Sequence, residues 1–179
     1  MVALLQKHVK GEKFTHSLGV EQTALRLAKR YGADVEKAGL AGLLHDIAKQ
    51  MDTVALAYRY GIVSPSEKTL HGPVGAAWLR EKGIVEDEEV LFAIKYHTTG
   101  RADMSLLEKI VYLADYIEPA RDFDEVDRMR EYANTDIDKA LLYGIKLSMM
   151  HVVEGGSLLD MDSVEAYNCY RRKFERGEI

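Results

Sequence analysis

An all-helical bundle is the fold class this sequence predicts, and three observations predict it. Apolar residues recur at helical spacing, rather than in alternation, in almost every segment between turn signals. Only 3 of the 179 residues are proline, and the chain is rich in Ala, Leu, Lys and Glu, which favour helix over short strands. An apolar fraction of 47% at this length is enough to bury a core, so one compact domain over residues 1–179 is expected.

Taken in order, Phe14, Leu18, Leu25 and Ala28 mark a first stripe, with a stop near Tyr31-Gly32. Leu40, Leu43, Leu44 and Ile47 mark the next. Asp52 can cap a short helix that Gly61 ends, and Val63 to Ser66 read as a loop. Pro73 suits a first helical turn, where its missing donor costs little, so His71 sits at a helix entrance. Asp87 can begin a helix carrying Leu91, Ile94 and His97, with Gly100 marking its end. Ser105 and Glu108 have capping-box spacing ahead of a helix that carries Ile110, Leu113, Asp115 and Ile117 until Pro119. Helices near 124–132, 136–154 and after Asp162 complete the chain, with no repeat and no linker.

The formal charge of −5 lacks the basic excess of a nucleic-acid-binding surface but is compatible with a small phosphate-bearing ligand. A single cysteine, Cys169, cannot form an internal disulfide. No segment approaches membrane-spanning length and the N-terminus has no cleavable leader pattern, so a cytoplasmic protein with no membrane partner is expected.

His16, His45, His71 and His97 come from four different helices or helix ends. Any one of them alone reads more readily as a hydrogen-bonded structural residue than as a ligand. Two aspartates shift that balance, because Asp46 and Asp115 each interrupt an apolar helical run. A buried carboxylate without a partner loses several kcal/mol of solvation, so it needs a cation, a donor network or exposure. Imidazoles with carboxylates suit Fe, Mn, Co, Ni or Zn, whereas Mg and Ca prefer oxygen shells. Six such groups exceed one tetrahedral site and would serve two metals if Asp46 bridges them, with room for a bridging water or hydroxide. Such a pair activates water for attack on phosphate, so hydrolysis is the chemistry implied.

His16, the His45-Asp46 pair and Asp115 match the H…HD…D signature of the HD phosphohydrolase superfamily, and His71 and His97 match the further histidines of its two-metal members. The surroundings, Lys13 to Ser17, Leu43 to Lys49, His71-Gly72, Tyr96 to Gly100 and Leu113 to Pro119, resemble the bacterial YqeK family over nearly the whole chain. That resemblance implies an HD-type bundle and symmetrical cleavage of diadenosine tetraphosphate to two ADP by a metal-bridging hydroxide. It implies two divalent metal ions, iron first, with manganese or another transition metal as the alternative. His16, His45, Asp46 and Asp115 would hold one ion and Asp46, His71 and His97 the other, these last three also counting as catalytic.

A polyphosphate substrate asks for further cations and donors, and Lys49, Arg101, Lys109, Arg121, Thr98 and Thr99 lie nearest the motifs. Each is equally readable as solvated surface or, for the threonines, as a helix end. Glu118 could bind a ribose hydroxyl or pair with a neighbour. No glycine-rich phosphate loop is present, since Gly155-Gly156 lacks the following Lys-Ser/Thr. His8 and His151 read as structural. Met149, Met150, Tyr167 and Tyr170 read as packing, on a stripe that could support a homodimer. Competing functions are another phosphohydrolase activity of the superfamily (on a nucleoside monophosphate, a deoxynucleoside triphosphate or a cyclic dinucleotide), dioxygen chemistry at a di-iron site, and a nucleotide-binding regulatory module.

Overall fold

Ten α-helices and no strand make up the protein, seen in a computed structural model that describes residues 1–179. They are α1 (Val2–His8), α2 (Glu12–Tyr31), α3 (Val35–Leu44), α4 (Thr53–Tyr60), α5 (His71–Glu81), α6 (Glu88–Tyr96), α7 (Leu106–Ile117), α8 (Val126–Thr135), α9 (Ile137–Glu154) and α10 (Met161–Glu175), with a 3₁₀ turn at Glu67–Thr69 before α5. The all-α expectation holds.

Local chemistry explains most of the boundaries. The side chains of Asp34, Asp52, Asp87, Ser105, Asp136 and Asp160 each accept from amides of the first turn that follows, and such a cap contributes about 1 kcal/mol. At Ser105 the capping box is complete, with Glu108 reaching back to the Ser105 amide. Gly32 and Gly61 close α2 and α4 in the left-handed region, at φ 72° and 65°. Helix α1 was not expected, and α8 runs to Thr135 rather than stopping near Tyr132. Two helices stop earlier than their apolar stripes predict, α3 at Leu44 and α6 at Tyr96.

Helix α7 runs through the middle. Eight of its twelve residues are buried, and α2, α3, α6, α8 and α9 pack around it. Along the outside, α3 lies on α2, α5 on α6, and α10 on α9. The apolar residues so enclosed form one cluster of 34 buried side chains. No helix is long and apolar enough to cross a membrane. The result for the site is that α2 and the ends of α3 and α6 meet beside α7, with the start of α5 held against α6.

Candidate metal centre

The early ends of α3 and α6 have one cause. In a continuing helix the Gly42 carbonyl would accept from the amide of Asp46, and the Ile94 carbonyl from that of Thr98. Instead the imidazoles of His45 and His97 donate to these carbonyls, each Nδ1 standing 2.7 Å from its oxygen. After Leu44 the chain proceeds by tight turns, Ile47 N to Leu44 O and Lys49 N to Asp46 O, rather than by α-helix. Both rings are thereby fixed in one tautomer with Nε2 aimed inward.

His16 comes from the second turn of α2 and Asp115 from the last turn of α7. His16 Nε2 lies 2.9 Å from Asp115 Oδ1, and its Nδ1 lies 3.0 Å from Glu118 Oε1. His71 opens α5, as expected, and its Nε2 stands 3.1 Å from both His97 Nε2 and Asp46 Oδ1. Gly72 makes that approach feasible: a Cβ there would sit 2.7 Å from the Lys95 carbonyl of α6. Of the two oxygens of Asp46, Oδ1 faces His71 and His97, while Oδ2 is 3.7 Å from His45 Nε2.

All six expected residues therefore meet. The ligand atoms of His16, His45 and Asp115 lie within 4.8 Å of one another, and so do those of His45, Asp46 and His97. Only three buried side-chain polar atoms of the protein lack a hydrogen-bond partner, and two of them, His45 Nε2 and Asp46 Oδ1, belong to this cluster. An unmade bond at such an atom costs about 1–3 kcal/mol. Imidazole nitrogens and carboxylate oxygens that converge with two of their atoms unsatisfied fit a transition-metal cation.

The charge states agree with that reading. Burial lowers the pKa of His45 to about 4 and lowers that of His71, so both rings are neutral near pH 7. Burial would raise the carboxyl of Asp46, but the surrounding imidazoles of His45, His71 and His97 hold it well below the usual range. The same contest at Asp115 is settled by His16, His45, His97 and Arg121, again downward. At His16 burial opposes charge, yet Asp115 and Glu118 raise the ring above its ordinary value.

Among the expected substrate contacts, the structure divides the residues sharply. Lys49 Nζ lies 2.9 Å from His71 Nε2 and 3.4 Å from Asp46 Oδ1. Arg121 Nη2 lies 2.5 Å from Asp115 Oδ1. Thr98 Oγ1 sits between His71 Nε2 and His97 Nε2, at 3.1 and 3.0 Å. The other three are not brought to the cluster. Arg101 forks onto buried Glu108 at 2.6 and 2.8 Å, Lys109 pairs with Asp138, and buried Thr99 donates to the Gly100 carbonyl.

Two cavities open on the centre. One of about 690 Å³ is lined by polar residues including Lys13, Thr15, His16, Asp46, Lys49 and Arg121. The other, about 560 Å³, carries Thr98, Asp115 and Arg121 beside an apolar wall of Tyr116, Phe123, Leu147 and Met150. Met150 and His151, read from sequence as packing and structural residues, are thus wall residues of the second cavity. His8 lies edge-on against Trp78, away from the centre. Lys13 and Thr15 flank His16 in sequence, and that adjacency was the available signal for them; Phe123 and His151 carried none.

Comparison with known proteins supplies the family. A family model for the HD domain matches residues 14–120, the span that contains every one of the six converging residues. The chain belongs to the HD domain family. A relative from Halalkalibacterium halodurans, named a symmetrical bis(5'-nucleosyl)-tetraphosphatase, is 40% identical over 172 residues, 92% of each chain. One of the same name from Bacillus subtilis is 37% identical, over 93% of this chain and 94% of its own. The YqeK resemblance is thereby borne out. A crystal structure of an HD superfamily hydrolase from Clostridium acetobutylicum, described as involved in NAD metabolism, superposes with a TM-score of 0.89 at 38% identity, covering 96% of this chain and 95% of that one.

Proposed function

We propose that this HD-domain protein is a metal-dependent phosphohydrolase that cleaves diadenosine tetraphosphate symmetrically into two ADP. The observation that carries the reading is the meeting of His16, His45, Asp46, His71, His97 and Asp115 around two unsatisfied buried ligand atoms. The names of relatives that align over nine-tenths of the chain support the substrate.

The residues fit two divalent cations, for which we propose iron. His16, His45, Asp46 and Asp115 would hold one ion, and Asp46, His71 and His97 the other. When bound, such a pair polarises water and neutralises charge on the reacting phosphate oxygens. The protein's own contribution is placement. Buried neutral His45 and His71 keep their Nε2 lone pairs available, and the backbone bonds of His45 and His97 fix ring directions. Lys49 and Arg121, each about a third or more exposed at 35% and 42%, stand on opposite flanks of the centre where a phosphate chain would pass. Thr98 can turn its hydroxyl from the imidazoles to a phosphate oxygen. The polar cavity suits one nucleoside diphosphate half and the cavity walled by Tyr116 and Phe123 the other, which puts the scissile bond between them. We place the enzyme in the cytoplasm, where such nucleotides occur free.

The test is anaerobic purification, metal analysis and chromatography of products from diadenosine tetraphosphate in the same preparation. Two equivalents of iron with ADP as sole product is the expected result. AMP plus ATP would reject the cleavage position, and a protein that takes up no metal on reconstitution would reject the centre.

A further inference from the structure

The geometry points to Glu118 as a positioning residue that holds His16 in its metal-binding orientation, with Gly19 serving to make room for it. This rests on the proposed metal centre and extends it to a residue outside the ligand set. Glu118 is 3% exposed, and no lysine or arginine side chain pairs with it; its one ion-pair partner is His16. Both carboxylate oxygens are used: Oε1 lies 3.0 Å from His16 Nδ1 and Oε2 accepts from the Ala120 amide at 2.8 Å. Its 3% exposure leaves little of the carboxylate open to a ribose hydroxyl.

Glu118 immediately follows α7, three residues after Asp115. One helix end therefore grips the His16 ring from both sides, Asp115 at Nε2 and Glu118 at Nδ1. Donation of Nδ1–H to Glu118 settles the tautomer, leaves Nε2 as the ligand atom and makes it a better donor to a cation, as carboxylates behind metal-bound histidines do. The partner helix is shaped for the arrangement. Gly19 lies inside the twenty-residue α2, where glycine weakens a helix relative to alanine, and it is not among the glycines at positive φ. Its reason is space: a Cβ would lie 2.6 Å from Glu118 Oε2 and 3.3 Å from its Cδ. One turn along α2 from the ligand, the chain omits a side chain where the carboxylate must fit.

The test uses the full chain, with Mn²⁺ as the probe and a chelating dye as competitor, on the wild type, Glu118→Gln and Gly19→Ala, with thermal melts to confirm folding. The expected result is that one of two Mn²⁺ equivalents weakens about 10- to 100-fold in each variant while the other is unchanged. Turnover should return toward wild type at excess Mn²⁺, with KM for diadenosine tetraphosphate unaltered. Unchanged Mn²⁺ affinity in both variants would overturn the assignment, as would a raised KM that excess metal does not restore, which would make Glu118 a substrate contact. A wild type that takes up no Mn²⁺ would instead overturn the metal centre on which the assignment rests.

Discussion

The two sides of the centre are built differently. On the inner side His45, His71 and His97 are buried to within 3% exposure, and the rings of His45 and His97 are anchored to backbone carbonyls. On the outer side His16 and Asp115 are each 15% exposed in their side chains, and His16 is anchored to a carboxylate. A backbone anchor cannot be removed by substituting another residue; a side-chain anchor can. The inner side should therefore respond to mutation through packing and helix ends, and the outer side through its charged neighbours.

Asp46 joins the two sides, so its loss is the most severe way to break the comparison. Asp46→Ala should reduce turnover to the limit of detection and abolish uptake of both metal equivalents, while circular dichroism stays largely helical; retention of one full equivalent would mean that Asp46 is not shared. Next, Arg101→Ala tests the segment that leads from His97 into α7. It leaves the Glu108 carboxylate, 1% exposed, with the Ser105 amide but no cation, and should cost about 3 kcal/mol, the low end for a buried pair because Arg101 is a third exposed. Urea unfolding would measure this, and KM should not change if Arg101 supports the fold rather than the substrate.

Metal removal comes close behind. If each cation sits at about 100 times its dissociation constant, stripping it lowers stability by roughly 2.7 kcal/mol per site, or about 5–11 °C in Tm per site for a protein of this length. Chelator-dependent melting would show the shift, and Asp46→Ala should show none. Gly72→Ala strains the inner side alone, since its Cβ would meet the Lys95 carbonyl at 2.7 Å; a loss of about 1–3 kcal/mol is expected, with the cation proposed for His71 and His97 released first. The smallest effect belongs to the outer edge. Arg121→Ala should raise KM severalfold with a small change in Tm, because its guanidinium is 42% exposed and screened by solvent; an unchanged KM would remove Arg121 from the phosphate path.

Much of this was legible in the chain. Caps at Asp52, Asp87 and Ser105 and the stops at Gly32 and Gly61 depend on neighbours in sequence, and all appear where local rules put them. The six converging residues were legible because Asp46 and Asp115 interrupt apolar runs, where an unpartnered carboxylate is costly, and because the four histidines fall with them in the order of the HD signature. Arg101 and Lys109 were not separable from Lys49 and Arg121, since all four are basic residues close to motifs. Their fates depend on Glu108 and Asp138, partners that only the packing of α7 on α9 and the turn after Gly100 bring near. The short ends of α3 and α6 were hidden for a related reason: hydrophobic periodicity continues through Ile47, and only the direction of an imidazole ring breaks the helix.

That ring direction makes one hydrogen bond serve two purposes at His45, since the same proton that orients the ligand also stops the helix. Alanine at this position would free the Gly42 carbonyl and supply the strongest helix former in its place, allowing α3 to run on through the next residue. Asp46 would then be carried around the helix axis, away from both neighbouring histidines. Deleting one imidazole would thus dismantle the shared carboxylate as well, so the histidine and aspartate that stand side by side in the chain act as one structural unit.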